Sequence, residues 1–541
     1  MPAPARRPNF LVILTDQHRF DGLACAWPAW RAAAGAHSPL RTPHLDRLAA
    51  GGVRLDRHYV NNPLCMPGRS TLITGLTPRA HGVRTNGIDL DRGIPTIVQA
   101  LAGAGYRTHS TGKTHFRIMS APNGADPLTL HPYAYPEARP LWENGRVTAI
   151  PTPYYGFQTV EWSGGHGDVF GDYRAWLRGR DPDAPRLLTR QAGTPPASGA
   201  EQAWKMAIPP EWHYNTWVAD RTIALLESVA GGVQPFFAVA SFPDPHHPFA
   251  TPDPWFSRYD REAVPPPVRR AGELEGLAPF FGEVFAHPLR LSGRMRPTRT
   301  PDDQLREIVA ITYGMISFVD QQVGRILDAL DRLGLAEETV VLFTADHGDL
   351  LGDHWLLNKG PFHFDGLLRV PSLWRFPGRF RQGAVSEALT SHLDVAPTVL
   401  DLAGLPAPEA PPAGGEAPRW PPALETETDR QLRALPGRSL APLLRGEVDR
   451  VQDAVLVEND EDYLGLRLRT LVTETHQLTV YAGEDGLAPF GELFDLRADP
   501  GQVHNLWDAP GQAGLKLELQ ARLLGELVRT DARLPRRQSH A

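Results

Sequence analysis

Sulfur is scarce in this chain: 541 residues hold two cysteines and six methionines. Two cysteines exclude a disulfide framework, and pairing or clustering explains neither of them. No stretch approaches the ~20 consecutive apolar residues that span a bilayer, so no membrane partner is expected. The N-terminus carries positive charge but no signal-peptide core. Its apolar run at residues 10–14 is too short and gives way to Asp16, and a cytoplasmic location is the expectation. Runs of Lys or Arg are missing too. With 55 basic against 62 acidic residues and a net charge of −7, the chain is not expected to bind nucleic acid.

What is present reads as an ordinary globular protein, 42% apolar and 22% charged. The length suggests roughly three or four domains of ~150 residues, although large α/β enzymes often keep one dominant core. Residues 10–15 and 339–344 are nearly continuous apolar, β-branched runs, the pattern of strands buried on both faces. Ile308, Ile311, Thr312, Met315, Val319, Val323, Ile326 and Leu330 mark one face of a long helix closed by Gly334. A helix feeding a buried strand is half of a parallel-sheet unit. Further helices are expected at 45–48, 94–101, 217–229 and 394–402, and another buried strand at 235–241.

Three regions break this regularity. Residues 117–212 are rich in Pro, Gly, Tyr and Trp, with an Asn144-Gly145 turn that predicts a hairpin. Such an insertion either walls a site or forms an appended layer. Residues 406–434 are dense in Pro, Ala and Glu and read as an exposed loop. After about residue 446 come strand-like runs at 454–458, 466–473 and 477–481, then a helix at 514–528. The expected organisation is a catalytic domain over residues 1–445 and a small α+β subdomain over 446–541.

The polar residues at the strand ends carry the chemistry. Asp16-Gln17 follows the first buried strand, and Asp346-His347 follows the later one. Open parallel sheets bind ligands outside the carboxyl ends of their strands, so carboxylates 330 residues apart can converge on one point. As bare neighbours they would repel, and a divalent cation is the natural remedy. Oxygen ligands favour Ca²⁺ or Mg²⁺, whereas an imidazole from His347 shifts the choice toward Mn²⁺ or Zn²⁺. The plainer reading is that each aspartate caps the element that follows it.

Cys65 stands in Cys65-Met66-Pro67-Gly68-Arg69, with Gly75 further on. Pro67 fits the first position of a helix running through Ile73, which places Cys65 at the positive end, where unpaired N–H groups attract an anion. Arg69 adds a fixed positive charge. A tyrosine-phosphatase loop needs five residues between cysteine and arginine; three stand here. Cys25 reads as a buried small hydrophobe.

The segment Cys-x-Pro-x-Arg resembles the signature of the type I, formylglycine-dependent sulfatases of the alkaline phosphatase superfamily. Thr15-Asp16-Gln17, Gly112-Lys113-Thr114-His115, Pro245-His246-His247-Pro248, the block 344–349 and Lys359 resemble further family blocks in the family's order. Arg369-Val370-Pro371, the blocks at 394–398, 436–440 and 492–496, Asp499-Pro500 and Asn505-Leu506 carry the likeness to residue 507. The resemblance implies an alkaline-phosphatase-like α/β sandwich with a large, mostly parallel sheet and a smaller C-terminal domain with an antiparallel sheet. It implies that Cys65 becomes formylglycine, made by a formylglycine-generating enzyme, and that Asp16, Gln17, Asp346, His347 and residue 65 hold one divalent metal, Ca²⁺ first, with Mn²⁺ or Mg²⁺ as alternatives. By the same likeness Lys113, Lys359 and the helix N-terminus neutralise the transferring group. His246 protonates the leaving alcohol, and His115 takes the proton that lets sulfate depart. The substrate implied is a small-molecule sulfate ester.

Two positions depart from the commonest pattern: Asp-Gln and Asp-His stand where many arylsulfatases carry Asp-Asp and Asp-Asn. This form is closer to choline-sulfatase-like and phosphonate-monoester-hydrolase-like members, and it keeps phosphonate monoester or phosphodiester hydrolysis as the alternative. Lys113 and His115 keep the sulfatase pair. A fold that only binds, without turnover, is the third reading. The aromatic insertion is a candidate to stack a sugar or aryl ring or to frame a cation. Asn86 is a candidate substrate contact, and His81 and His166 are candidate rim residues, each with a structural reading beside it.

Overall fold

The computed structural model describes residues 7–127, 129–282, 300–405, 435–462, 465–483 and 486–531. The expected loop at 406–434 lies outside them. A nine-stranded sheet forms the centre. Its strands are β1 (Asn9–Thr15), β2 (Val53–Leu55), β3 (Arg107–Gly112), β4 (Thr159–Gly164), β5 (Phe170–Gly171), β6 (Phe236–Ser241), β7 (Thr339–Ala345), β8 (Ser372–Arg375) and β9 (Ala384–Ser386). The spatial order is β9-β2-β8-β7-β1-β6-β3-β4-β5. The five strands from β7 to β4 pair in parallel.

Alternation along β1 shows why these strands read as continuous apolar runs. Phe10, Val12 and Leu14 face one core, with α1 (Cys65–Thr74) and residues of the helix Ile97–Gly103. Leu11 and Ile13 face another, under α2 (Tyr214–Val229) and α3 (Asp302–Arg332). With helices over both faces, the central strands β1 and β7 are apolar through their middles. Gly334, with φ +67°, closes α3 as expected. The helix α4 (Val395–Leu402) packs on the α1 side.

A four-stranded antiparallel sheet follows: β10 (Ala454–Glu461), β11 (Leu466–Thr473), β12 (His476–Gly483) and β13 (Gly486–Asp495). One face, through Val455, Val457 and Val472, packs on Tyr59, Val60, Leu368 and Val370. The other is covered by α5 (Ala513–Arg529), through Leu519 and Leu523. This sheet also holds the segment leading to Cys65. Asn61 Nδ2 donates to the Leu456 carbonyl at 2.8 Å and Asn62 Nδ2 to that of Glu458 at 2.7 Å.

Several expectations change. Asn144-Gly145 makes no hairpin: it ends the short helix Arg139–Glu143, and Asn144 N–H returns to the Pro140 carbonyl. The helix after Cys65 begins at Cys65 itself, so Pro67 sits inside its first turn, where a missing N–H costs nothing. Cys25 is only half-buried. Strand β13 went unseen because Pro489 and Gly491 interrupt its apolar alternation. Residues 117–212 serve mainly as a core layer, adding β4 and β5 to the sheet, with Trp162, Tyr154 and Tyr173 fully buried.

Candidate active site

Five adjacent parallel strands each deliver a polar residue at or just beyond their carboxyl ends: Asp346 after β7, Asp16 after β1, His246 after β6, Lys113 after β3 and His166 after β4. Register brings the carboxylates together, because Thr15 pairs with Ala345 and the Asp346 N–H reaches the Thr15 carbonyl at 3.1 Å. The first turn of α1 stands over them. Its Gly68 is required by close approach: a Cβ there would lie 2.6 Å from the Asp346 carbonyl oxygen. Gly68→Ala is expected to lower stability by about 1–3 kcal/mol, the scale of overpacking, and to shift Asp346. Thermal unfolding of the variant checks this.

Arg69 does something other than the expected cradling of an anion. Its side chain is 1% exposed and turned inward. Nε donates to Asp346 Oδ2 at 2.7 Å and Nη2 to Asp16 Oδ2 at 3.1 Å, while Nη1 donates to the Lys113 carbonyl and Ser241 Oγ. Lys113 Nζ also lies on Asp16 Oδ2. Both carboxylates are therefore held from behind by one oxygen, which leaves their Oδ1 atoms facing forward. His347 Nε2 is 3.6 Å from Asp16 Oδ1 and 3.7 Å from Asp346 Oδ1, and Cys65 Sγ is 3.2 Å from His347 Nε2 and 3.8 Å from Asp16 Oδ1. Four donor atoms thus lie within 4.8 Å of one another. His347 Nδ1 donates to the Gly348 carbonyl at 2.8 Å, so Nε2 keeps its lone pair, the orientation a metal-ligating histidine takes. This donor set fits one divalent cation.

Gln17 lies beside this group. Its N–H donates to Asp346 Oδ1 at 3.2 Å, its Nε2 to Asp349 at 2.5 Å, and its Oε1 accepts from His247 Nδ1 at 3.1 Å. Lys359 Nζ faces Cys65 Sγ and His246 Nε2, both at 2.8 Å, and His347 Nε2 at 3.0 Å. His246 Nδ1 is bonded to the His247 carbonyl, leaving Nε2 toward the site. His115 stands half-buried with Nδ1 unpartnered among the described residues. Asn86 Oδ1 accepts the Met66 N–H at 3.0 Å, so it caps the first turn of α1. His81 has a structural part, bonding Thr71 Oγ1 and accepting the Val83 N–H.

Electrostatics follow from this crowding. Burial and the Asp16 carboxylate push the Cys65 thiol up, but Lys113, Lys359 and His347 outweigh them and bring it down to about 7. Burial also opposes a charge on Asp16, yet Lys113 and its neighbours hold it well below the usual carboxylate range. His115 and His246 are driven well below the ordinary imidazole value, by burial first and by nearby cationic groups after it. Both are neutral at pH 7. The neighbours that sequence reading passed over are Ser241, His247 and Asp349. The last two adjoin quoted site residues, and Ser241 ends a parallel strand, which is the signal that could have found them.

A polarised cysteine at a helix N-terminus, two carboxylates presenting one oxygen each and two lysines form a site suited to esters of tetrahedral oxyanions. Residues 8–405 match the Sulfatase family model, and the chain belongs to the Sulfatase family of the alkaline phosphatase superfamily, as a sulfuric ester hydrolase. It is 28% identical over 538 residues to a multifunctional alkaline phosphatase superfamily protein of Trinickia caryophylli, covering 94% of this chain and 93% of that protein. It is also 28% identical over 521 residues to the choline-sulfatase of Rhizobium meliloti (strain 1021), covering 93% and 83%. Among solved structures, the phosphonate monoester hydrolase of Agrobacterium radiobacter superimposes with a TM-score of 0.74 at 27% identity, covering 97% and 96%. Among the described residues, no helix is long and apolar enough to cross a membrane.

Proposed function

We propose that the chain hydrolyses a small-molecule sulfate monoester with residue 65 as formylglycine and one divalent cation, Ca²⁺ first, held by Asp16, Asp346, His347, residue 65 and Gln17. The observation that carries this reading is the convergence of Asp16 Oδ1, Asp346 Oδ1, His347 Nε2 and Cys65 Sγ, with Lys359 Nζ 2.8 Å from the sulfur. A cation there supplies Lewis acidity that favours an ionised hydroxyl. The hydrated aldehyde supplies one hydroxyl to attack and a second whose proton, once removed, releases the product; a plain serine or cysteine lacks the second.

The chain's own residues do the rest. Lys113 and Lys359 set ammonium groups against the charge on the transferring group, in a pocket where low dielectric strengthens them. His246 Nε2 faces the site and accepts from Lys359 Nζ at 2.8 Å, so the proton it passes to the leaving alcohol oxygen is drawn from that ammonium group. His115 accepts the proton from the second hydroxyl of residue 65. Arg69 touches none of the reacting atoms and positions the two carboxylates.

Mass spectrometry of the Cys65 peptide from the native host tests the nucleophile, because thiol and aldehyde differ in mass; a thiol throughout removes the mechanism. Lys113→Ala is expected to cost about 10²–10³ in kcat/KM, the scale for one preorganised donor. Turnover close to wild type would remove that role. Chelation is expected to lower the melting temperature and Ca²⁺ to restore it, since a ligand at 100 times its Kd adds about 2.7 kcal/mol. A melting temperature indifferent to both would count against the cation.

A second reading has specific support. The Asp-Gln and Asp-His positions and the phosphonate monoester hydrolase superposition favour phosphonate monoester or phosphodiester hydrolysis. Parallel assays on an aryl sulfate, a phosphonate monoester and a phosphodiester rank the two. The sulfatase reading fails if the sulfate ester has the lowest kcat/KM.

A further inference from the structure

His166 is the one histidine among the groups delivered by the parallel strands that the mechanism above leaves unused. It stands two residues beyond β4, in the loop Gly165-His166-Gly167. A Cβ at Gly167 would lie 2.7 Å from Pro248 Cγ, so the loop is pressed against the chain segment that carries His246. The two imidazoles stack, with centroids 3.4 Å apart and planes 9° from parallel. His166 Nε2 is 3.0 Å from Lys113 Nζ.

These contacts assign the proton. Lys113 lies on the Asp16 carboxylate and is an ammonium, which can only donate, so His166 Nε2 is the acceptor. A neutral imidazole then carries its hydrogen on Nδ1. That Nδ1 is buried and has no partner among the described residues. An orphaned buried donor demands an explanation, and the ring that carries it is stacked on His246 and bonded to Lys113, two groups of the site.

A second metal is one answer, since Asp16, His166 and His246 bring donor atoms within 4.8 Å of one another. The contacts argue against it. Lys113 Nζ stands on the Nε2 lone pair of His166 and Lys359 Nζ on that of His246, and the His246 Nδ1 is bonded to the His247 carbonyl. The one carboxylate of this trio, Asp16, already belongs to the first group of donors, so a second cation would have two imidazoles and no carboxylate of its own. An N–H donor among cationic neighbours faces an anion instead.

We propose that His166 Nδ1–H donates to a nonbridging oxygen of the bound sulfate ester and thereby selects a three-oxygen group over a two-oxygen one; this rests on the sulfatase reading above. Of the three N–H bonds of Lys113, two reach Asp16 and His166, and the third is left for substrate. Lys359 bonds Cys65, His246 and His347 and sets its charge against the transferring group as a whole, and His246 serves the bridging oxygen. His166 then completes the set for the nonbridging oxygens. A sulfate monoester presents three such oxygens. A phosphonate monoester or phosphodiester presents two and carries a substituent in place of the third, which leaves the donor unpaired. A buried donor left unpaired is a strong basis for discrimination between analogues.

The test compares His166→Ala and His166→Asn with the parent enzyme on 4-nitrophenyl sulfate and on a 4-nitrophenyl phosphonate monoester, with inorganic sulfate as a competitive inhibitor. His166→Ala is expected to lower kcat/KM for the sulfate by about 10²-fold, the loss of one preorganised donor. The phosphonate value should move by less than about threefold, and the inhibition constant of sulfate should rise in step with the loss of one donor. His166→Asn keeps an N–H and should recover part of the sulfate activity. Equal losses on both substrates would assign His166 only to holding Lys113, and no loss on either would remove it from the site; both outcomes overturn the proposal. The readout is the change in the sulfate-to-phosphonate ratio, whereas the sulfatase reading itself is judged on the ratio of the unmutated enzyme.

Discussion

Arg69→Ala is expected to destabilise the protein by roughly 3–5 kcal/mol and to remove its activity, the scale for breaking a buried ion pair by deleting one partner. The guanidinium hydrogen-bonds a side-chain oxygen of both Asp16 and Asp346. Without it, two carboxylates fully shielded from water lose the guanidinium that joins them and keep Lys113 on Asp16, the Gln17 N–H on Asp346 and His347 near both. Arg69→Lys should fare little better, because one ammonium cannot span two carboxylates, the Lys113 carbonyl and Ser241 Oγ at once. Chemical and thermal unfolding of both variants, with and without added Ca²⁺, gives the check. A melting temperature within a degree or two of the parent would show that the carboxylates are held by something else.

Cys65→Ala should lower kcat by about 10⁶-fold, the scale for deleting a covalent nucleophile. Cys65→Ser is the more informative change. A serine hydroxyl at the start of α1 keeps the helix N-terminus and both lysines, so it can attack once. It has no second hydroxyl with which to expel the acquired group. Rapid-quench measurement should show about one alcohol released per active site and then arrest, the burst that marks a covalent intermediate. Steady turnover by Cys65→Ser at more than a few per cent of the parent rate would sink the two-hydroxyl scheme.

Much of this was legible before any coordinates. β1, β7 and α3 announced themselves by periodicity, because elements buried on both faces tolerate few polar residues. Asp16 and Asp346 followed from the strand-end rule, which turns distant positions into neighbours without further information. Direction was harder. Arg69 was read as facing the anion, and only the adjacency of β1, β7 and α1 shows that it faces the carboxylates. Asn86 was read as a substrate contact, whereas its side-chain oxygen is committed to the Met66 N–H. His166 was placed at the rim with a structural reading beside it, since nothing local in Gly-His-Gly reports a stack on a histidine 80 residues away. Side-chain type is local information, and the partner it meets is set by topology.

The burial of Cys65 has a consequence for how the enzyme comes into being. The side chain sits within the fold, 2% exposed, behind a wall completed by residues near position 346 and by the C-terminal sheet. In the folded chain that sulfur offers almost no surface to another protein. Oxidation of Cys65, as proposed, is therefore in a race with chain closure. Pairing across more than 300 residues is slow by its nature, and that would be the interval for the proposed oxidation. On the proposed mechanism a chain that closed first would be folded and inert, and the yield of active enzyme in a recombinant host would then measure a ratio of two rates and not the amount of protein made.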